Sequence, residues 1–154
     1  MIFDDDDFEE MDDEEMEREM EEERNRKANL PIVKKAKEIF RTVHSLIATI
    51  DYEKDTMAYR DILFEDIAII NAKISGAEAM TLYSLKMENA VLIKIHARSI
   101  ITTTSGMKMM KLGHEDYLNV LRDEMEEFRK LFVECINTFD KTNDIPDDWG
   151  IEFS

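Results

Sequence analysis

Between residues 32 and 139, apolar residues recur at the spacing of helix faces. Ile32, Ala36, Ile39, Val43, Leu46 and Ile50 follow one another at alternating steps of four and three. That is an unbroken heptad seam, expected of a helix packed nearly parallel to a neighbour. Pro31 suits the first turn of this helix. Residues 51–55 read as a short loop, with Asp55 placed to cap the next element. A second helix is predicted over 56–74, with Tyr59, Leu63, Ile67, Ile70 and Ile74 on one face. Ser75–Gly76 is its expected break. A third helix is expected over 81–104 and ended by Gly106, leaving Met107, Met109 and Met110 in a loop. The fourth, over 114–139, repeats the first pattern through Leu118, Leu121, Met125, Phe128, Phe132, Cys135 and Phe139.

The third helix differs from the others. Leu82, Ala90, Ile93, Ala97 and Ile100 make a core face, while Met87, Val91 and Ile95 form a second apolar row well round the helix. A helix apolar on two sides sits centrally or meets a second partner. Four long amphipathic segments with short connections predict an all-α fold, an antiparallel four-helix bundle over 31–140. Its core should include Ile39, Val43, Leu46, Leu63, Ile67, Ile70, Ile93, Ile100, Leu121, Phe128 and Phe132. Residues 141–154 form a tail whose Trp149 and Phe153 are expected to pack back on the bundle. Four Gly and two Pro in 154 residues agree with helices over a turn-rich β fold.

The segments ENAVLIKIHARSI (88–100), DYLNVLRDEMEEFRKLFVECINTFD (116–140) and DDWGIEF (147–153) resemble a group of small bacterial four-helix proteins without assigned function. The resemblance covers 30–153. It implies the bundle and transfers no activity and no site.

Charge changes the picture at the N-terminus. Residues 1–23 hold 15 acids and one base, Arg18, and so carry −14 of the chain's −16. Such a low-complexity stretch is expected to stay solvated and largely disordered, an acidic arm that attracts basic surfaces. A basic segment follows, with 24–30 as its linker. Arg24, Arg26, Lys27, Lys34, Lys35, Lys37 and Arg41 are opposed only by Glu38. The arm is expected to touch this segment around Lys34, Lys35, Lys37 and Arg41, as an internal decoy for phosphates.

Candidate chemistry is sparse. A di-iron bundle needs Glu-x-x-His on two helices, and none is present. One cysteine and scattered His44, His96 and His114 do not build a zinc ligand set. The acidic run lacks the alternating ligands and turn glycine of a calcium loop. No cofactor or metal is expected. Arg41-x-x-His44 and His96-x-Arg98 are the only close pairs for a helical nuclease. His96 flanks the core face with Asn89 one heptad earlier, and Asp66, bordering the Leu63/Ile70 face of the second helix, is a candidate partner. Such a polar cluster more often fixes helix register than performs catalysis. Cys135 lies in the fourth seam as an inert thiol. No apolar run reaches the ~20 residues of a membrane span, and the N-terminus lacks a signal-peptide pattern. A cytoplasmic, non-enzymatic interaction or scaffold module is the expectation. Met87, Val91 and Ile95 are its self-association surface, making a homo-oligomer, and the acidic arm serves a basic protein partner. The alternative is a nucleic-acid-binding accessory protein that uses the basic segment 24–41, autoinhibited by the arm.

Overall fold

The computed structural model describes residues 12–153, and these contain helices and no strand. Five α-helices follow in order: α1 Asp13–Ala28, α2 Pro31–Ile47, α3 Tyr59–Ala77, α4 Tyr83–Met109 and α5 Glu115–Asn137. A single 3-10 turn, Tyr52–Lys54, sits between α2 and α3.

One core joins α2 to α5. Ala36, Ile39, Val43 and Leu46 of α2 meet Leu63, Ile67, Ile70 and Ile74 of α3, Ile93 and Ile100 of α4, and Leu118, Leu121, Met125 and Phe128 of α5. Cross-helix contacts set the directions. Lys35 reaches Glu127 and Thr42 reaches Glu124, so α2 and α5 run antiparallel. Asp66 meets His96 and the Lys73 carbonyl meets Asn89, which gives α3 and α4 the same relation. The expected core residues are buried, except that Phe132 is only partly so.

Several boundaries differ from the sequence reading. α4 runs through Gly106 instead of ending there. A Cβ on Gly106 would lie 2.3 Å from the Tyr59 hydroxyl, so this glycine admits the Tyr59 ring against the helix. Met107 is therefore a buried core residue, and only Met109 and Met110 are exposed. The break comes at Lys111 and Gly113, both in left-handed backbone. Ser75–Gly76 likewise lies inside α3, which continues to Ala77. The start of α3 keeps the expected role of Asp55. Its carboxylate accepts from the Tyr59 and Arg60 amides at 2.8 and 3.1 Å, offsetting the left-handed strain of Ala58.

The arm is the main correction. Residues 13–23 are helical: with 24–28, expected as part of a linker, they form the single helix α1. Asp13, Glu14 and Glu15 occupy its first turn and Arg26 and Lys27 its last, which suits both ends of the helix dipole. Glu and Met are also good helix formers, and Glu23 pairs with Arg26 at i,i+3. Average charge conceals this order. α1 buries no residue and is tied to the rest by Arg26–Glu78 at 3.0 Å. Expectations about residues 1–11 lie outside the described residues.

The tail differs too. Trp149 is 87% exposed, so it does not cover the helices. The tail is instead held at the start of α4. Asp144 accepts from the Ser84 amide at 3.1 Å and its hydroxyl at 2.5 Å, and the Tyr83 amide donates to the Asn143 carbonyl. Asp144 thus supplies the cap that Leu82 cannot.

Phe128→Ala should lower stability by about 3–5 kcal/mol, because it empties a fully buried aromatic site. Chemical denaturation of the variant beside the parent checks this. Asp144→Ala should speed hydrogen exchange at the Ser84 and Leu85 amides while leaving exchange in α2 unchanged.

Candidate functional site

Three polar groups penetrate the core. His96 Nδ1 lies 2.7 Å from Asp66 Oδ1, joining α3 to α4. Two turns away along the same helix pair, the Asn89 amide donates to the Lys73 carbonyl at 3.2 Å. Asp66 Oδ2 and Asn89 Oδ1 have no hydrogen-bond partner. The His96, Asn89 and Asp66 cluster of the sequence reading is therefore assembled as a helix-to-helix clamp. His44 stands apart. It is exposed on α2 and packs edge-on against Phe64, with Phe40 beside it. The two histidines do not converge, and the Arg–His pairs make no joint site. Among the described residues no group of three His, Cys, Asp or Glu side chains could hold a metal ion. None of the described helices is long and apolar enough to cross a membrane.

The α2–α5 seam carries a second polar group that the heptad pattern does not reveal. Glu124 accepts from the Thr42 hydroxyl at 2.6 Å, while its other oxygen is buried without a partner. Burial pushes its carboxyl above the ordinary value, against the opposing pull of the Thr42 hydrogen bond and of Lys35. Lys35 bonds Glu127 and Glu38, which raise its ammonium to about 12.

The expected arm contact with the basic segment is absent among the described residues. Lys35 is engaged by α2 and α5, and no carboxylate of α1 pairs with Lys34, Lys37 or Arg41. The acids of α1 pair instead with Arg18 and Arg26 of the same helix. Lys34, Lys37 and Arg41 are exposed at i, i+3 and i+7, one stripe of α2.

The apolar row on α4 is where the surface departs most from a polar coat. Val91 is 40% exposed and Ile95 55%, with Met87 half-buried between them and the tail. Leu85 and Leu92 are exposed on the neighbouring flank. On the other flank, α4 and α5 part to leave a groove of about 410 Å³. Its floor is Ile93, Ala97, Phe128 and Phe132, and Lys94, Arg98 and Arg129 stand among its lining residues. A more enclosed cavity of about 150 Å³ shares Ile93, Phe132 and Ile136 with it and reaches Asn89 and Cys135. Burial raises the Cys135 thiol above its ordinary value, which keeps it protonated and unreactive. Sequence periodicity pointed to the row at Met87, Val91 and Ile95 but passed over the groove. Small Ala90 and Ala97 facing large Phe128 and Phe132 were the available signal.

Comparison with known proteins finds no matching family model, no matching curated protein and no matching solved structure.

Glu124→Gln should raise the melting temperature at pH 7. A folded-state pKa raised above the unfolded one adds stability only below the unfolded value, and that stability is lost as pH rises through the folded value. The gain from Gln should therefore vanish near pH 4, where the parent carboxyl is also neutral. A melting series from pH 4 to 8 on both proteins measures it.

Proposed function

We propose that this chain is a non-enzymatic interaction module. In this reading α2–α5 are an antiparallel four-helix bundle that self-associates, and α1 is an acidic arm for a basic surface. The observation that carries it is the uncovered apolar row on α4. Val91 and Ile95 stand in solvent beside Leu92 on a helix whose opposite face is fully buried. A monomer would leave that patch wet, at a cost in apolar surface that soluble chains usually avoid. The polar clamp of Asp66, His96 and Asn89 fits a structural role, since its members bond one another or backbone across a helix pair. The resemblance of residues 30–153 to small bacterial four-helix proteins fits this reading, as does a cytoplasmic setting.

A second reading has its own observation. Lys34, Lys37 and Arg41 form an exposed stripe without a carboxylate partner among the described residues. Such a stripe suits phosphate contacts, and a nucleic-acid accessory role would use it. It predicts binding of RNA or DNA by the full chain with an affinity that falls steeply with salt. No binding at low salt removes this reading.

Sedimentation equilibrium of the full chain decides the first. The parent should associate in the micromolar range, and Val91→Glu should shift it towards monomer, because a buried unpaired carboxylate opposes the contact. A parent that stays monomeric at every concentration would falsify self-association.

A further inference from the structure

Two features of this chain lack a partner among the described residues. One is α1, a helix about 24 Å long at 1.5 Å per residue that buries none of its residues. Its first 11 residues carry eight acids against Arg18. Met16 and Met20 are exposed one turn apart, with Glu17 and Glu21 beside Met20 at the same interval. The other is the groove between α4 and α5. Its floor is apolar, and Lys94 and Arg98 line it without a carboxylate partner among the described residues. Arg129, which also lines it, is bound to Glu126 of its own helix. α4 as a whole is basic: Lys86, Lys94, Arg98 and Lys108 against Glu88 alone.

We propose that the α4–α5 groove receives helix α1 of a second copy of this chain, in a reciprocal exchange of acidic arms. This rests on the self-associating module proposed above and adds a second contact to it, on the flank of α4 away from Leu92. The two surfaces share a period. Met16 and Met20 are four residues apart, as are Ile93, Ala97 and Ile101 along the groove. Their spacing is therefore about 6 Å on both helices. Ala97 is the small residue at the centre of that run, and an unbranched methionine on either side of it fills an irregular gap well. Glu17 and Glu21 repeat at the interval of Lys94 and Arg98, so acid meets base on each turn. Each contact removes apolar surface from water and satisfies two cations left unpaired among the described residues.

The occupant comes from another copy because the chain's own α1 is poorly placed to reach. Only Asn29 and Leu30 separate α1 from α2, and two residues span about 7 Å at most. Leu30 lines the enclosed cavity, and Arg26 is bonded to Glu78 at the end of α3. Neighbouring helices lie about 8–10 Å apart, and α2 packs beside α5 while the groove lies between α5 and α4. Folding back would extract Leu30 and break the Arg26–Glu78 pair. A two-fold pairing needs neither change, and it gives both copies the same contact twice, which closes the assembly as a dimer.

The test uses full-length chains and charge reversal on each side. One variant carries Lys94→Glu and Arg98→Glu, the other Glu17→Lys and Glu21→Lys. Each alone should dimerise at least roughly tenfold more weakly than the parent, since like charges then face each other in both contacts. An equimolar mixture should recover association as a heterodimer, because both contacts become complementary again. Circular dichroism verifies that the helices persist in each variant. Lys37→Glu with Arg41→Glu, on α2, is the control and should leave the parent dimer intact. Recovery in the mixture together with an intact control supports the exchange. A dimeric parent whose Lys94/Arg98 variant dimerises equally well overturns the exchange but leaves self-association standing. So does a mixture that fails to recover, or a control that dissociates as readily. A monomeric parent overturns both.

Discussion

Covering one long helix is the constraint on which the rest of this molecule turns. α4 is 27 residues long and apolar around much of its circumference. Ile93, Ile100 and Met107 are fully or nearly fully buried, while Leu85, Val91, Leu92, Ile95 and Ile101 remain in solvent. α3 packs closely along it, helped by Gly106, which lets Tyr59 approach the helix without a Cβ in the way. α5 packs less closely, because Ala90 and Ala97 do not reach far enough to fill the space before Phe128 and Phe132. The groove and the exposed row are both consequences of one helix having more apolar surface than two neighbours can hide. Hydrophobic burial is roughly proportional to area, so the surface left over is the driving force available for association.

Polar groups inside the core settle the pairing of helices more than they add stability. His96 with Asp66 and Asn89 with the Lys73 carbonyl set the register of α3 against α4, and Thr42 with Glu124 does the same for α2 against α5. Each leaves one atom unsatisfied: Asp66 Oδ2, Asn89 Oδ1 and the second carboxylate oxygen of Glu124. A buried polar group with incomplete hydrogen bonding costs free energy. A slip of the helix pair by one turn would leave these groups with no partner at all, which is how such costly contacts specify one arrangement.

Charge is distributed with the same economy. Acids fill the first turn of α1 and bases its last, so the helix is supported by its own dipole and by Glu23–Arg26, without any hydrophobic face to hold it. The bases of α2 are split: Lys35 is drawn into the α5 seam by Glu127 and Glu38, while Lys34, Lys37 and Arg41 stay exposed. On α4 the cations Lys94 and Arg98 flank apolar surface, whereas on α5 Glu126 pairs with Arg129 of its own helix and Glu124 and Glu127 reach α2. Opposite charges thus sit on two helices that make no pair with each other in one copy.

The amino-acid sequence by itself determined the helical class and most of the buried residues. The α2 and α5 seams were legible because a 3.5-residue period places Ile39, Val43, Leu46, Leu121, Met125 and Phe128 on one side of any helix, whatever it meets. Asp55 was legible as a cap because its role is local. Helix ends and the arm were less so. Gly106 carries the usual stop signal, but packing overrode it: Tyr59 and Met107 gain more from a continued α4 than the glycine loses in backbone freedom. The arm's composition suggested disorder, whereas its order of acids and bases favoured a helix. Only the tertiary structure decided that Trp149 stays in solvent, that Asp144 caps a helix 60 residues before it, and that α4 and α5 part to leave a groove. Those outcomes depend on the sizes of side chains facing each other across different helices. A one-dimensional period records which residues share a face and holds no information about what stands opposite.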